Sequence, residues 1–162
     1  MDSLDAEFAA AFMGGDTDAG MPIGGVADAD ADANADADAD ADGGAARPIA
    51  RREVFVTHDA FGRMCGAYGL TQVAAVGLSP DAEPDPARMA EIIRLAKEHG
   101  ATTVFYEDNG SPRIAQAIAE SIGGKAAALS PVEALGEDEL SAGADYFTKM
   151  RGNLAALLEA LR

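Results

Sequence analysis

The chain has 162 residues, no tryptophan, one cysteine and a formal net charge of −16. A balance this acidic argues against nucleic acid and anionic membranes as partners, because phosphate recognition needs a basic surface. It is compatible with cation binding, with simple solubility or with life at high salt, and charge alone does not choose among these. Cys65 is the single cysteine, so an internal disulfide is excluded, and no apolar run approaches the about 20 residues of a membrane-spanning helix.

Met1-Asp2-Ser3-Leu4-Asp5 is acidic where a signal peptide would carry a positive start, so no export signal is visible. The chain reads either as cytoplasmic or as a fragment that begins partway into a longer protein. Residues 2–13 place Leu4, Phe8, Ala11 and Phe12 at helical spacing. Residues 14–50 form a low-complexity acidic segment in which Ala27 to Asp42 alternates alanine with aspartate, Asn34 excepted. Alanine and aspartate are poor strand formers and neighbouring carboxylates repel, which predicts a disordered, extended tract. Its carboxylates suit weak, nonspecific binding of hard divalent cations; the plain alternative is a solvated acidic spacer.

From Arg51 the pattern becomes regular. Glu53 to Thr57 predicts a strand buried on both faces. A short helix follows over Ala60 to Tyr68, with Phe61, Met64, Cys65 and Tyr68 on its apolar side and Gly69 as its stop. Thr71 to Val76 predicts a second strand and Gly77 to Pro84 a loop. Asp85-Pro86 is a cap followed by a first-turn proline, opening a helix to about His99 with Met89, Ile92, Ile93 and Ala96 inward. Thr102 to Tyr106 predicts a third strand ending in Glu107-Asp108. Ser111-Pro112 repeats the cap-plus-proline pattern and opens a helix to Ile122, stopped by Gly123-Gly124. Ala126 to Leu129 predicts a fourth strand. Pro131 to Ala144 reads mostly as loop, with one turn after Glu137, and Asp145 to Leu161 as a final amphipathic helix. Strands alternating with helices predict an α/β fold: a doubly wound, mainly parallel sheet of about four strands with flanking helices, preceded by the acidic segment. Residues 51–162 are enough for one core.

The motifs narrow the chemistry. No phosphate-binding glycine fingerprint follows the first strand, and there is no P-loop lysine, Gly-x-Ser-x-Gly elbow or Cys-x-x-Cys. In an open α/β sheet ligands bind at the carboxyl ends of the strands. His58-Asp59 and Glu107-Asp108 stand at two such ends, an arrangement suited to a cation. His58 is also suited to acid/base work, and the bland alternative is a polar residue that caps a helix or bonds a loop. A small metal-dependent hydrolase using His58 and Asp59 would need further histidines, and only His99 remains, at a helix end that predicts an exposed surface position. A response-regulator receiver would need an acidic pair after the first strand and a lysine after the last; only Asp59 follows the first, and Lys125 precedes the fourth. A noncatalytic interaction module using the acidic tract is the third reading.

Thr57-His58-Asp59-Ala60-Phe61-Gly62, followed by Tyr68-Gly69-Leu70-Thr71-Gln72, resembles the C-terminal lobe of zinc-binding solute-binding proteins of ABC importers, the ZnuA-like, cluster 9 type. Gly77 to Pro84, Val104 to Glu107, Ser111-Pro112 and Gly143 to Leu154 agree as well. The resemblance covers residues 51–162, and residues 1–13 resemble the tail of the helix that joins the two lobes. It implies that His58 ligates zinc, or manganese, and that the other histidine ligands belong to an N-terminal lobe absent from this chain. The family's acidic ligand position falls on Ala144, with Asp145 beside it, so Asp145 or water would complete the sphere. Glu107 matches a residue near the cleft that supports the site. The family's mobile metal-gathering loop is rich in histidine and lies in the other lobe, whereas here the tract is alanine and aspartate, and oxygen-only ligands suit zinc less well. The resemblance further implies no catalysis, a membrane permease as partner, and a periplasmic or extracellular, membrane-associated location.

Overall fold

The computed structural model describes residues 3–13, 49–77, 84–132, 136, 140, 141 and 143–162. The predicted disorder of residues 14–50 falls outside the described residues except at its end, as do most of the predicted loop over 77–84 and the turn after Glu137.

Four strands, β1 (Glu53–Val56), β2 (Thr71–Ala74), β3 (Thr103–Glu107) and β4 (Lys125–Leu129), form one parallel sheet in the order β2-β1-β3-β4. Glu53 pairs with Thr71, Val56 with Ala74 and with Phe105, and Thr103 with Lys125. The helices are α1 (Ser3–Phe12), α2 (Gly62–Ala67), α3 (Pro86–Glu98), α4 (Arg113–Ile122) and α5 (Tyr146–Leu161). None of them is long and apolar enough to cross a membrane.

Successive strand residues point to opposite faces, and both faces are covered. Val54, Val56 and Phe105 pack on one side with Leu4, Phe8 and Phe12 of α1, Cys65 of α2 and Leu157 of α5. Phe55 and Val104 pack on the other with Ile92 and Ala96 of α3 and Ile118 of α4. This is the doubly wound arrangement predicted from the alternation of elements. α1 belongs fully to it: the Phe8 ring lies 4.6 Å from Tyr68, whose hydroxyl donates to Asp5 at 3.1 Å. Arg52 donates from Nη1 to the carbonyls of Phe12 and Gly69, both at 3.1 Å, so the chain leaves α1 and re-enters at β1 in nearly the same place.

Local chemistry explains most boundaries. Asp85 Oδ1 accepts from the Arg88 N–H at 2.9 Å, with Pro86 opening α3. Gly123 closes α4 in the left-handed region at φ 73°, and a Cβ on Gly124 would sit 2.5 Å from the Thr102 carbonyl oxygen. Several boundaries differ from the sequence expectation by a residue or two, α2 and β2 being shorter and β3 running Thr103–Glu107. Pro112 stands one place before α4 rather than in its first turn, and Ser111 Oγ reaches only the Arg113 N–H, at 3.4 Å. β1 ends at Val56 rather than Thr57, although Thr57 keeps both ladder bonds: its N–H donates to Phe105 at 2.9 Å and its carbonyl accepts from Val76 at 3.0 Å.

Candidate metal-binding site

The order β2-β1-β3-β4 reverses direction between β1 and β3, and a parallel sheet opens its ligand crevice outside the carboxyl ends at that switch point. His58 follows β1 there. Val56 pairs with Phe105, so the carboxyl ends of β1 and β3 lie together, with His58 just past the one and Glu107 the last residue of the other. The His58 Nε2 atom is buried and has no hydrogen-bond partner among the described residues, and the Thr57 hydroxyl next to it is in the same condition, with Thr57 only 1 % exposed. Leaving a buried polar atom unpaired costs about 1–3 kcal/mol. Arg51 Nε and Thr103 Oγ1, at the opposite end of the sheet, are also buried without a partner among the described residues, so it is the imidazole's place at the switch point that distinguishes His58. An imidazole nitrogen in that condition fits zinc, which takes nitrogen ligands readily.

The turn after His58 is tied down. The His58 carbonyl accepts from the Ala60 N–H at 2.9 Å. Gln72 of β2 accepts from the Phe61 N–H at 2.6 Å and donates to the Asp59 carboxylate. Asp59 is therefore engaged in holding the turn. Two shallow depressions flank it, about 400 Å³ beside Phe61, Met64 and Tyr146 and about 350 Å³ beside Asp59 and Arg88; among the described residues neither has His58 in its wall.

The other predicted residues occupy distinct situations. Glu107 is half-buried, and its carboxylate has no partner among the described residues. Asp108, next along, is neutralised by Lys149 at 2.7 Å. Asp145 caps α5: one carboxylate oxygen accepts from both the N–H and the hydroxyl of Thr148, each at 2.7 Å. Those bonds hold its carboxyl below the usual aspartate range. His99, 43 % exposed, lies 3.4 Å from Glu53 at the start of β1, whereas His58 follows its end. The His99 ring also lies 6.2 Å from that of Phe55 within β1, and among the described residues the two histidines do not gather into one metal-binding group. No three His, Cys, Asp or Glu side chains gather into a metal cage among the described residues. Among the described residues the arrangement offers one buried, unpartnered imidazole nitrogen at the carboxyl end of β1, with Glu107 at the same edge of the sheet.

Sequence reasoning missed two polar side chains that shape this end of the sheet. Asn153, 3 % exposed on the inner face of α5, exchanges two 2.8 Å bonds with the backbone of Ser130 just past β4. Its signal was a lone amide inside an apolar stripe. Gln72 lay in the quoted motif but carried no assigned role.

The sequence model of the family described as zinc-uptake complex component A, periplasmic (ZnuA), matches residues 29–160. The chain is 46 % identical over 114 residues to the zinc-binding protein AdcA of Streptococcus pyogenes serotype M1, covering 70 % of this chain and 22 % of that protein. It is 37 % identical over 116 residues to the high-affinity zinc uptake system protein ZnuA of Bacillus subtilis, covering 72 % and 36 %. Among solved structures it superposes on the Zn(II)-bound ZnuA-like domain of Streptococcus pneumoniae AdcA with a TM-score of 0.56 at 35 % identity, covering 70 % of this chain and 42 % of that one. The laminin-binding protein Lbp of Streptococcus pyogenes gives a TM-score of 0.62 at 36 % identity, covering 70 % and 43 %. The chain thus spans well under half the length of these relatives.

Proposed function

The chain belongs to the ZnuA family of zinc-uptake components, and on that premise we propose that it supplies one half of a zinc-capture site serving an ABC importer. The observation that carries this reading is the buried, unpartnered Nε2 of His58 at the sheet's switch point. His58 is the metal ligand contributed by this lobe. Glu107, at the end of the neighbouring strand β3 and without a partner among the described residues, supports the site, while Asp145 spends one oxygen on the α5 cap and keeps the other for metal or water. The remaining ligands come from a second lobe. α1 is the end of the helix that connects to that lobe. The function is capture and delivery to a membrane permease at the periplasmic or extracellular face, without catalysis. Zinc is favoured over manganese because an imidazole nitrogen suits zinc better than the oxygen-seeking manganese ion.

The test is a titration of the metal-free chain with zinc chloride, followed through the ring resonances of His58, in parallel with His58→Ala and with manganese chloride. Weak zinc binding centred on His58, absent in the variant and strengthened at least tenfold by a relative's missing lobe added in trans, is the expected result. Unchanged zinc binding by His58→Ala would refute the reading.

A further inference from the structure

We infer that Gln72 is a positioning residue for His58, acting through the turn between them; the inference rests on the metal-capture reading of that site. Gln72 is the second residue of the edge strand β2, paired in register with Val54. Its side chain crosses to the turn after β1 and uses both ends of its amide. The oxygen accepts from the Phe61 N–H at 2.6 Å, and the nitrogen donates to Asp59. Phe61 precedes the first residue of α2, where no side chain of that helix supplies a cap. Its ring is buried in the core, so the turn is anchored at Phe61 by packing and at Asp59 by the amide. The His58 carbonyl is bonded inside the same turn, to the Ala60 N–H.

The side-chain type matters. A primary amide presents an acceptor to a backbone N–H and a donor to a carboxylate from one planar group that does not titrate. Gln72 is half-buried and shares the face of its register partner Val54, the side that α2 covers, so its amide meets the turn rather than solvent. The imidazole of His58 has its Nε2 unpartnered among the described residues, so no bond to that nitrogen sets the ring's direction. Its placement comes from the backbone at residues 57–61, held by the β1 ladder on one side and by Gln72 on the other. Groups that orient a metal ligand from outside the coordination sphere are worth about 10–100-fold in affinity, and an indirect hold of this kind belongs at the lower end.

The polarity of the clamp can be reversed, which supplies the test. In the full chain, Gln72→Ala removes both bonds. Gln72→Glu keeps the acceptor for Phe61 but sets a carboxylate against that of Asp59. Adding Asp59→Asn to Gln72→Glu restores a donor facing an acceptor with the direction exchanged. Zinc chloride titrations followed at the His58 ring, with Phe61 amide exchange and thermal midpoints as controls, should show about tenfold weaker binding in both single variants. The double variant should recover most of the loss, with Phe61 exchange slowed again. Wild-type affinity in Gln72→Ala, or a double variant no better than Gln72→Glu at equal thermal midpoint, would overturn the positioning role. Loss of binding in His58→Ala alongside that result would leave the capture reading standing. Retention of binding in His58→Ala would overturn both.

Discussion

Replacing Asn153 by alanine tests how the end of the sheet is closed. Its Oδ1 accepts from the Ser130 N–H and its Nδ2 donates to the Ser130 carbonyl, both at 2.8 Å, in a pocket where Asn153 is 3 % and Ser130 6 % exposed. The amide takes the place of a further strand at the point where β4 stops. Asn153→Ala orphans a buried donor and a buried acceptor at about 1–3 kcal/mol each, and leaves a small void, for an expected loss of about 3–5 kcal/mol. That is a large share of the 5–15 kcal/mol typical of a domain. Asn153→Asp keeps the acceptor, has no donor for the carbonyl and buries a charge, so it should cost at least as much. Asn153→Leu fills the volume without the bonds and separates the cavity from the polar loss. Urea denaturation followed by circular dichroism, with midpoint and slope both measured, reads the three values. A cost below about 1 kcal/mol for Asn153→Ala would mean that water restores both bonds, and the amide would not be what closes β4.

Three further outcomes are expected. Burial pushes the Cys65 thiol up to about 11, so at pH 8 about one part in a thousand is thiolate, and a thiol reagent should modify the native chain orders of magnitude more slowly than the unfolded one; comparable rates would refute the burial argument. The Asp145 carboxyl is held below its ordinary 3.8 by Thr148, so its contribution is full above that value and is lost as the pH falls through the lowered folded value. The gap in thermal midpoint between wild type and Asp145→Ala should therefore be present at neutral pH and close in acid, while Asp145→Asn keeps a pH-independent cap. Replacing residues 14–48 by a short glycine-serine linker should leave α1 docked, because the Phe12 carbonyl lies 3.1 Å from Arg52 Nη1; loss of hydrogen-exchange protection in α1 would contradict that geometry.

The elements were legible because their signals are local. Asp85-Pro86 opens a helix through a bond to a residue three places on, and Gly123 closes one through its own backbone angle. Apolar runs at Val54 to Val56 and Thr103 to Phe105 need burial on two faces whatever the partner. The same reasoning placed His58 at a strand end and His99 at a helix end, and the structure keeps both there. It placed Asp145 at the head of the last helix as well, where its bonds to Thr148 make it a cap. The family motif led to His58 as a ligand, but no local pattern reveals that its Nε2 is buried and unpartnered.

The remaining features depend on groups far apart in sequence meeting in space. Ser130 and Asn153 are brought together by the packing of α5 on β4, and nothing within a turn of either residue signals the pair. Gln72 and Asp59 meet because β2 lies beside β1 in a particular register. Arg52 reaches Phe12 because the chain returns to its point of departure after α1. Periodicity, caps and charge are properties of neighbouring residues, and they are enough to establish the parallel α/β sheet and to put His58 at the carboxyl end of β1. Which atoms at that end stay unpaired, and which amides hold the turn beneath them, follows from strand order and side-chain packing, because hydrogen-bond satisfaction is settled only when every surrounding element is in place.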